Sequence, residues 1–129
     1  MSIAHTASSV NAHFIKEAII MKIMDQKEFD AQNVFGLGQA NTAYAQYFIG
    51  DSFLNPLTRP QDGLFLANVT FEPGCRNNWH IHHAKSGGGQ ILVCVAGRGY
   101  YQEWGKPAQE LRPGSVVNIP VGVKHWHGA

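Results

Sequence analysis

Downstream of residue 43 the chain alternates short runs of β-branched and aromatic residues with turn-forming residues. The pattern predicts strands at 43–49, 64–71, 78–83, 90–96, 100–104, 109–111, 115–119 and 123–127, the make-up of an all-β sandwich or barrel. The breaks between them have mechanisms. Glu72-Pro73-Gly74 and Arg112-Pro113-Gly114 place proline at the first central turn position and glycine at the second. Gly97-Arg98-Gly99 and Gly105-Lys106-Pro107 suit tight hairpins. Upstream the pattern differs: from Asn11 to Gln26, Ile15, Ile19 and Ile23 fall on one helical stripe with Lys16 and Lys22 off it. Met21 is an alternative start that would leave the preceding residues dispensable. Residues 1–12, small and polar, are expected to be poorly ordered. Residues 1–35 therefore read as an N-terminal extension, helical or irregular, and 36–129 as one β-barrel domain.

The strand at 90–96 bears on assembly. If Gln90, Leu92 and Cys94 face inward, then Ile91, Val93 and Val95 face outward, and all three are apolar. A strand apolar on both faces needs cover on both. This predicts a homodimer in which sheets or N-terminal segments of two chains supply it.

Composition narrows the function classes. At 129 residues the chain is long enough for one core, and its formal net charge of +1 gives no reason to invoke nucleic acid or an anionic membrane surface. No apolar run approaches the roughly 18 residues needed to span a bilayer; residues 14–24 are interrupted by Lys16, Glu17 and Lys22. Two cysteines, Cys75 and Cys94, make no disulfide framework, and with no signal-like leader a cytoplasmic location is expected.

The chemistry-bearing stretch runs from Gly74 to Gly97. On a strand, His80 and His82 share a face with their Cα atoms roughly 7 Å apart, within reach of one metal ion. Gln90 joins them if Gly87-Gly88-Gly89 folds the chain back, and His125 is a fourth candidate far downstream. The order Gly74-x5-His80-x-His82-x7-Gln90-x6-Gly97, followed by Gly114-x5-Pro120-x-Gly122-x2-His125, resembles the paired motifs of the cupin superfamily over about residues 64–129. The resemblance implies a small jelly-roll β-barrel holding one divalent metal, with His80, His82 and His125 matching the family's histidine ligands. Gln90 stands where the family usually has Glu, reached by a longer loop. Ala129 stands where Asn is frequent, and the chain ends where a typical cupin adds at least one strand, so either the barrel is shortened or another segment fills that edge.

No carboxylate lies between Glu72 and Glu103, so the first motif offers only neutral ligands. Three imidazoles and an amide oxygen leave the full charge on the ion. That favours anion binding and polarisation of a substrate oxygen over the higher oxidation states of oxygen activation. Mixed nitrogen and oxygen ligation suits Mn, Fe, Ni, Co or Zn. His127, two residues beyond His125, points into the same interior past the metal and is the candidate general base. His83 faces outward, and Arg76 and Asn78 share the inward parity of His80. The Gln ligand with the closing HWHGA resembles small bacterial cupins that include manganese-dependent hydroxynitrile lyases and carboxymuconolactone decarboxylase-related proteins. By that resemblance the function is metal-dependent Lewis-acid and general-base chemistry on a small polar organic molecule, lyase or decarboxylase-like. The alternatives are a non-catalytic ligand-binding or sensing cupin and an iron-dependent dioxygenase.

Overall fold

Turn chemistry sets the strand boundaries. Gly74 and Gly114 adopt φ of 80° and 93°, closing turns with Cys75 N–H donating to Glu72 O at 2.9 Å and Ser115 N–H to Arg112 O at 2.8 Å. This is the geometry that Pro-Gly at the two central positions produces. The computed structural model describes residues 2–7, as a backbone strand, and 26–129. The expected helical stripe at 11–26 and the alternative start at Met21 lie almost wholly outside the described residues; residues 26–32 are helical (α1).

Among the described residues the strands are β1 (Ser2–Ala7), β2 (Gln39–Ala40), β3 (Phe48–Ile49), β4 (Ser52–Pro56), β5 (Leu66–Phe71), β6 (Arg76–Asn77), β7 (His80–Ile81), β8 (Gln90–Gly97), β9 (Gly99–Glu103), β10 (Gln109–Leu111), β11 (Val116–Ile119) and β12 (Lys124–Gly128). One sheet has the order β11-β8-β1-β5-β4-β2; the other has β10-β9-β12-β6-β3, with β7 also paired to β12. The two sheets pack face to face as an all-β jelly roll. Leu92, Cys94 and Ile119 of the first meet Tyr101 and Leu111 of the second, while Val69 and Phe71 pack with Cys75 at the other end.

Several expectations change. Residues 2–7, read from composition as poorly ordered, form a strand running parallel to both β5 and β8. Residues 43–49 are mostly not a strand: Ala45–Tyr47 is a 3-10 turn and only Phe48–Ile49 pairs. β4, which composition does not announce, pairs antiparallel with β5. The far edge of the barrel is filled from upstream, because β12 runs inside its sheet between β9 and the short β6 and β7. The alternation along β8 is as expected: Gln90, Leu92 and Cys94 are buried, while Ile91 is 40% exposed. The outer face of β5 is closed differently, by α1 and the loop after it. Asn68, fully buried, donates to Asn33 Oδ1 and to Gly36 O, both at 2.8 Å.

Candidate metal centre

β12 and β7 run antiparallel with His125 opposite His80. Strand alternation sends His125 and His127 inward, at 0% and 2% exposure, and Lys124 and Trp126 outward. Outside, the Trp126 indole N–H donates to Gln102 Oε1 at 2.8 Å, and the Lys124 ammonium lies 3.7 Å from the Trp104 ring centre. Those anchors hold β12 in its register. Gln90 arrives through Gly87, Gly88 and Gly89, with φ of 60°, 84° and 81°. A Cβ on Gly89 would lie 2.5 Å from Ile119 O, so only glycine lets the loop close there. The same loop is tied down where Gly122 N–H donates to His82 O at 3.0 Å.

Four imidazoles cluster as a result. His80 lies 5.0 Å from His82, 4.2 Å from His125 and 5.9 Å from His127, measured between ring centres. His82 and His125 are 5.5 Å apart. Ligand atoms of His80, His125 and His127 all fall within 4.8 Å of one another, so His127 stands close beside the cluster. The four residues expected as ligands, His80, His82, Gln90 and His125, are brought together.

Hydrogen bonds fix the tautomers. His80 Nδ1 lies 2.7 Å from Asn78 O and His125 Nδ1 lies 2.9 Å from Val123 O. A carbonyl only accepts, so both rings carry the proton on Nδ1 and keep a lone pair on Nε2. His125 Nε2 faces Gln90 Oε1 at 3.1 Å, which sets two acceptors against each other. Turning the amide would make this an ordinary hydrogen bond; a shared cation satisfies both atoms as they stand. His82 Nε2 is buried with no hydrogen-bond partner among the described residues. Burial pushes the His125 ring down to about 4, with the neighbouring His80 and His82 adding to it and the Val123 carbonyl opposing. Burial and then His80 also lower His82, against the nearby Gln90 amide. These rings are neutral at neutral pH, the form a metal requires. An unpartnered ring nitrogen, two facing acceptors and neutral imidazoles fit a divalent cation of the nitrogen-preferring kind.

A cavity of about 430 Å³ opens onto this cluster. Its walls are Tyr44, Tyr47, Phe48, Phe65, Phe71 and Trp79 with Leu54 and Val69, and its polar edge carries Asn41, Asn77, Asn78, His80, His82, Gln90 and His127. Among the described residues no Asp, Glu, Lys or Arg lines it. The aromatic walls come from three separate segments, 43–49, 64–71 and 78–83, each expected as a strand from the sequence. Arg76, which by parity alone would share the face of His80, is exposed and is not among the residues lining the cavity, as expected of a solvated arginine at the barrel end. The break at residues 78–79 between β6 and β7 resets the alternation, so Asn77, 7% exposed, is the inward residue. Asn77 Oδ1 accepts the His127 backbone N–H at 2.8 Å, and its Nδ2 lies 3.2 Å from His127 Nε2. Gly128 permits this approach: a Cβ there would meet Cys75 O at 2.4 Å and Arg76 Cα at 2.5 Å.

No family model matches the chain. A cupin-like protein from Thermotoga maritima, known from a crystal structure at 1.90 Å resolution, is 41% identical to it. The two superpose with a TM-score of 0.66 over 75% of this chain and 71% of the other. An (R)-mandelonitrile lyase from Granulicella tundricola is 42% identical over 87 residues, which are 66% of this chain and 63% of that relative's length. With the jelly roll and the histidine cluster in place, these likenesses put the chain in the cupin family.

Proposed function

We propose that the protein is a metal-dependent lyase that cleaves or forms a carbon–carbon bond next to a hydroxyl carbon, with a neutral, apolar-bodied cyanohydrin as the substrate type. The observation that carries this reading is the uncharged aromatic cavity opening onto neutral imidazoles. The lyase named among the relatives supports the reaction class. The same cavity argues against a decarboxylase: a carboxylate substrate wants a lysine or arginine partner, and none lines the walls among the described residues. It also revises the small polar substrate read from the sequence to a polar head on an apolar body.

His80, His82 and His125, with the Gln90 amide oxygen, would hold the ion, whether Mn, Fe, Ni, Co or Zn. When bound, a divalent cation there supplies Lewis acidity to a substrate oxygen. The protein does the rest. The walls formed by Tyr44, Tyr47, Phe48 and Phe65 desolvate the substrate's body and orient its head toward the histidines. His127, lining the cavity beside the cluster, serves the reacting molecule by hydrogen bonding. In the cleavage direction the bond to the nitrile carbon breaks and its electron pair leaves as cyanide. The hydroxyl oxygen becomes the aldehyde oxygen, and its proton ends on cyanide as hydrogen cyanide.

The test is ultraviolet detection of benzaldehyde released from racemic mandelonitrile by protein loaded with each of the five metals, beside His125→Ala. Metal-dependent release that the variant loses is the expected result. Tight binding of the nitrile without turnover would replace the enzyme with a binding module, and oxygen consumption with iron would favour a dioxygenase. The homodimer belongs to the same proposal, supported by Ile91 and Val116, 40% and 62% exposed on the outer face of β8 and β11. A monomeric mass by light scattering would remove it. A cytoplasmic location, suggested by two buried free cysteines, is proposed with it.

A further inference from the structure

Resting on that reading, we infer that Asn77 is a positioning residue that makes His127 a hydrogen-bond donor to the reacting molecule, neither a metal ligand nor a base. The inference starts from the orientation of one amide. Asn77 Oδ1 receives the backbone N–H of His127 at 2.8 Å. An N–H can only donate, so this contact fixes which end of the carboxamide is oxygen. The other end, Nδ2, is then a donor, and it lies 3.2 Å from His127 Nε2. Two donors do not bond to each other, so Nε2 presents its lone pair and the proton of the neutral ring sits on Nδ1.

His127 is left with no lone pair to give. Nε2 spends its own on Asn77, and Nδ1 carries hydrogen. Proximity groups His127 with His80 and His125 as a possible metal triad, but this tautomer withholds the donor atom a metal needs. His80 and His125, whose Nδ1 protons are held by backbone carbonyls, have the opposite arrangement, with Nε2 open. Five residues of β12 thus carry two histidines in two electronic roles, set by what each ring's outer nitrogen meets.

The clamp is built into the fold. β6 and β12 pair in register at Gly128 opposite Arg76, where any side chain would collide with Cys75 O and Arg76 Cα. Ala129 N–H donates to Cys75 O at 2.8 Å, fastening the same approach. The His127 ring is further fixed by Phe71, edge-on at 5.7 Å, and by stacking at 13° to His125. Negative charge grows on the nitrile carbon as the carbon–carbon bond breaks, and an N–H donor among largely apolar walls stabilises such charge.

The experiment reads nitrogen-15 chemical shifts of His127 in the full chain, metal-free and zinc-loaded, together with steady-state kinetics. Wild-type protein is expected to give a protonated Nδ1 and an unprotonated Nε2. In Asn77→Asp, close in shape, one carboxylate oxygen still accepts the backbone N–H while the other accepts from Nε2, so the ring proton moves to Nε2. That variant is expected to keep its metal and its KM within about threefold while kcat falls about 100-fold. Three results overturn the inference: Nε2–H in the wild type, an unchanged tautomer in Asn77→Asp, or a moved proton with kcat within about twofold of wild type. The wild-type spectrum decides the matter even if the variant does not fold. Failure of the parent reading looks different: metal-loaded wild type would show the expected tautomer and cleave no cyanohydrin.

Discussion

Replacing Gly128 with alanine tests whether the closeness of β6 to β12 holds both the fold and the site. The added Cβ would lie 2.4 Å from Cys75 O, 2.5 Å from Arg76 Cα and 2.6 Å from Arg76 Cβ. Two of those atoms are backbone, so no rotamer change relieves the clash and the strands must separate. Overpacking of this kind costs about 1–3 kcal/mol. Separation also strains the 2.8 Å Ala129 N–H bond to Cys75 O and the Asn77 contacts to His127, at about 1 kcal/mol for each bond lost. If all three bonds go, the total is about 4–6 kcal/mol, which for a domain of this size lowers Tm by about 15 °C or more. Gly114→Ala is the control, because Gly114 has φ of 93° with nothing within 4 Å of a built Cβ. Backbone strain alone costs about 1 kcal/mol there. Circular dichroism melting of the two variants gives the comparison. A Gly128→Ala Tm no lower than that of Gly114→Ala would refute the close-approach reasoning, and with it the account of how Asn77 reaches His127.

Other outcomes follow from particular groups. In metal-free protein the depressed His125 ring makes the unfolded chain the better proton binder below about pH 6.5. Its contribution is present above that pH and is lost as the pH falls toward about 4, on the order of 3 kcal/mol. Urea midpoints at pH 7.5 and 4.5 should differ by less in His125→Gln than in wild type, and a pH-independent wild-type midpoint would contradict the assignment. Phe65 lines the cavity without belonging to the buried core. Phe65→Ala is expected to raise KM for an aryl substrate roughly tenfold with kcat little changed; an unaltered KM would move the substrate elsewhere. Burial first, then Asp51 and Glu72, pushes the Cys75 thiol up to about 12, and burial pushes Cys94 up to about 11. Both should ignore a disulfide reagent in the native protein and react fully in urea; rapid native reaction would show that the core opens.

What the sequence made legible was local chemistry. Pro-Gly turns, the alternation along β8 and the histidine spacing each depend on neighbours a few residues away, and each appears as read. Gln90 joins the cluster because three consecutive glycines allow the loop that brings it back, which the sequence states openly. What stayed hidden needed contacts across the fold. β4 looks unlike a strand by composition, yet it completes a ladder with β5. Asn77 was passed over because the two-residue alternation was carried through residues 78–79, where β6 gives way to β7. The aromatic walls come from Tyr44, Tyr47, Phe48 and Phe65, which sit in segments with no shared period, so only tertiary packing reveals them as one surface. Proximity alone then misleads in its turn, because it groups His127 with the metal-binding rings until the Asn77 amide is taken into account.

We propose that His82, whose buried Nε2 has no hydrogen-bond partner among the described residues, ligates the metal and that His127 does not. Metal content by inductively coupled plasma mass spectrometry, on untagged wild type, His82→Ala and His127→Ala, tests it directly. The account predicts near-stoichiometric metal in wild type and in His127→Ala, and its loss in His82→Ala. Metal retained by His82→Ala and lost by His127→Ala would contradict it and make His80, His125 and His127 the ligand set.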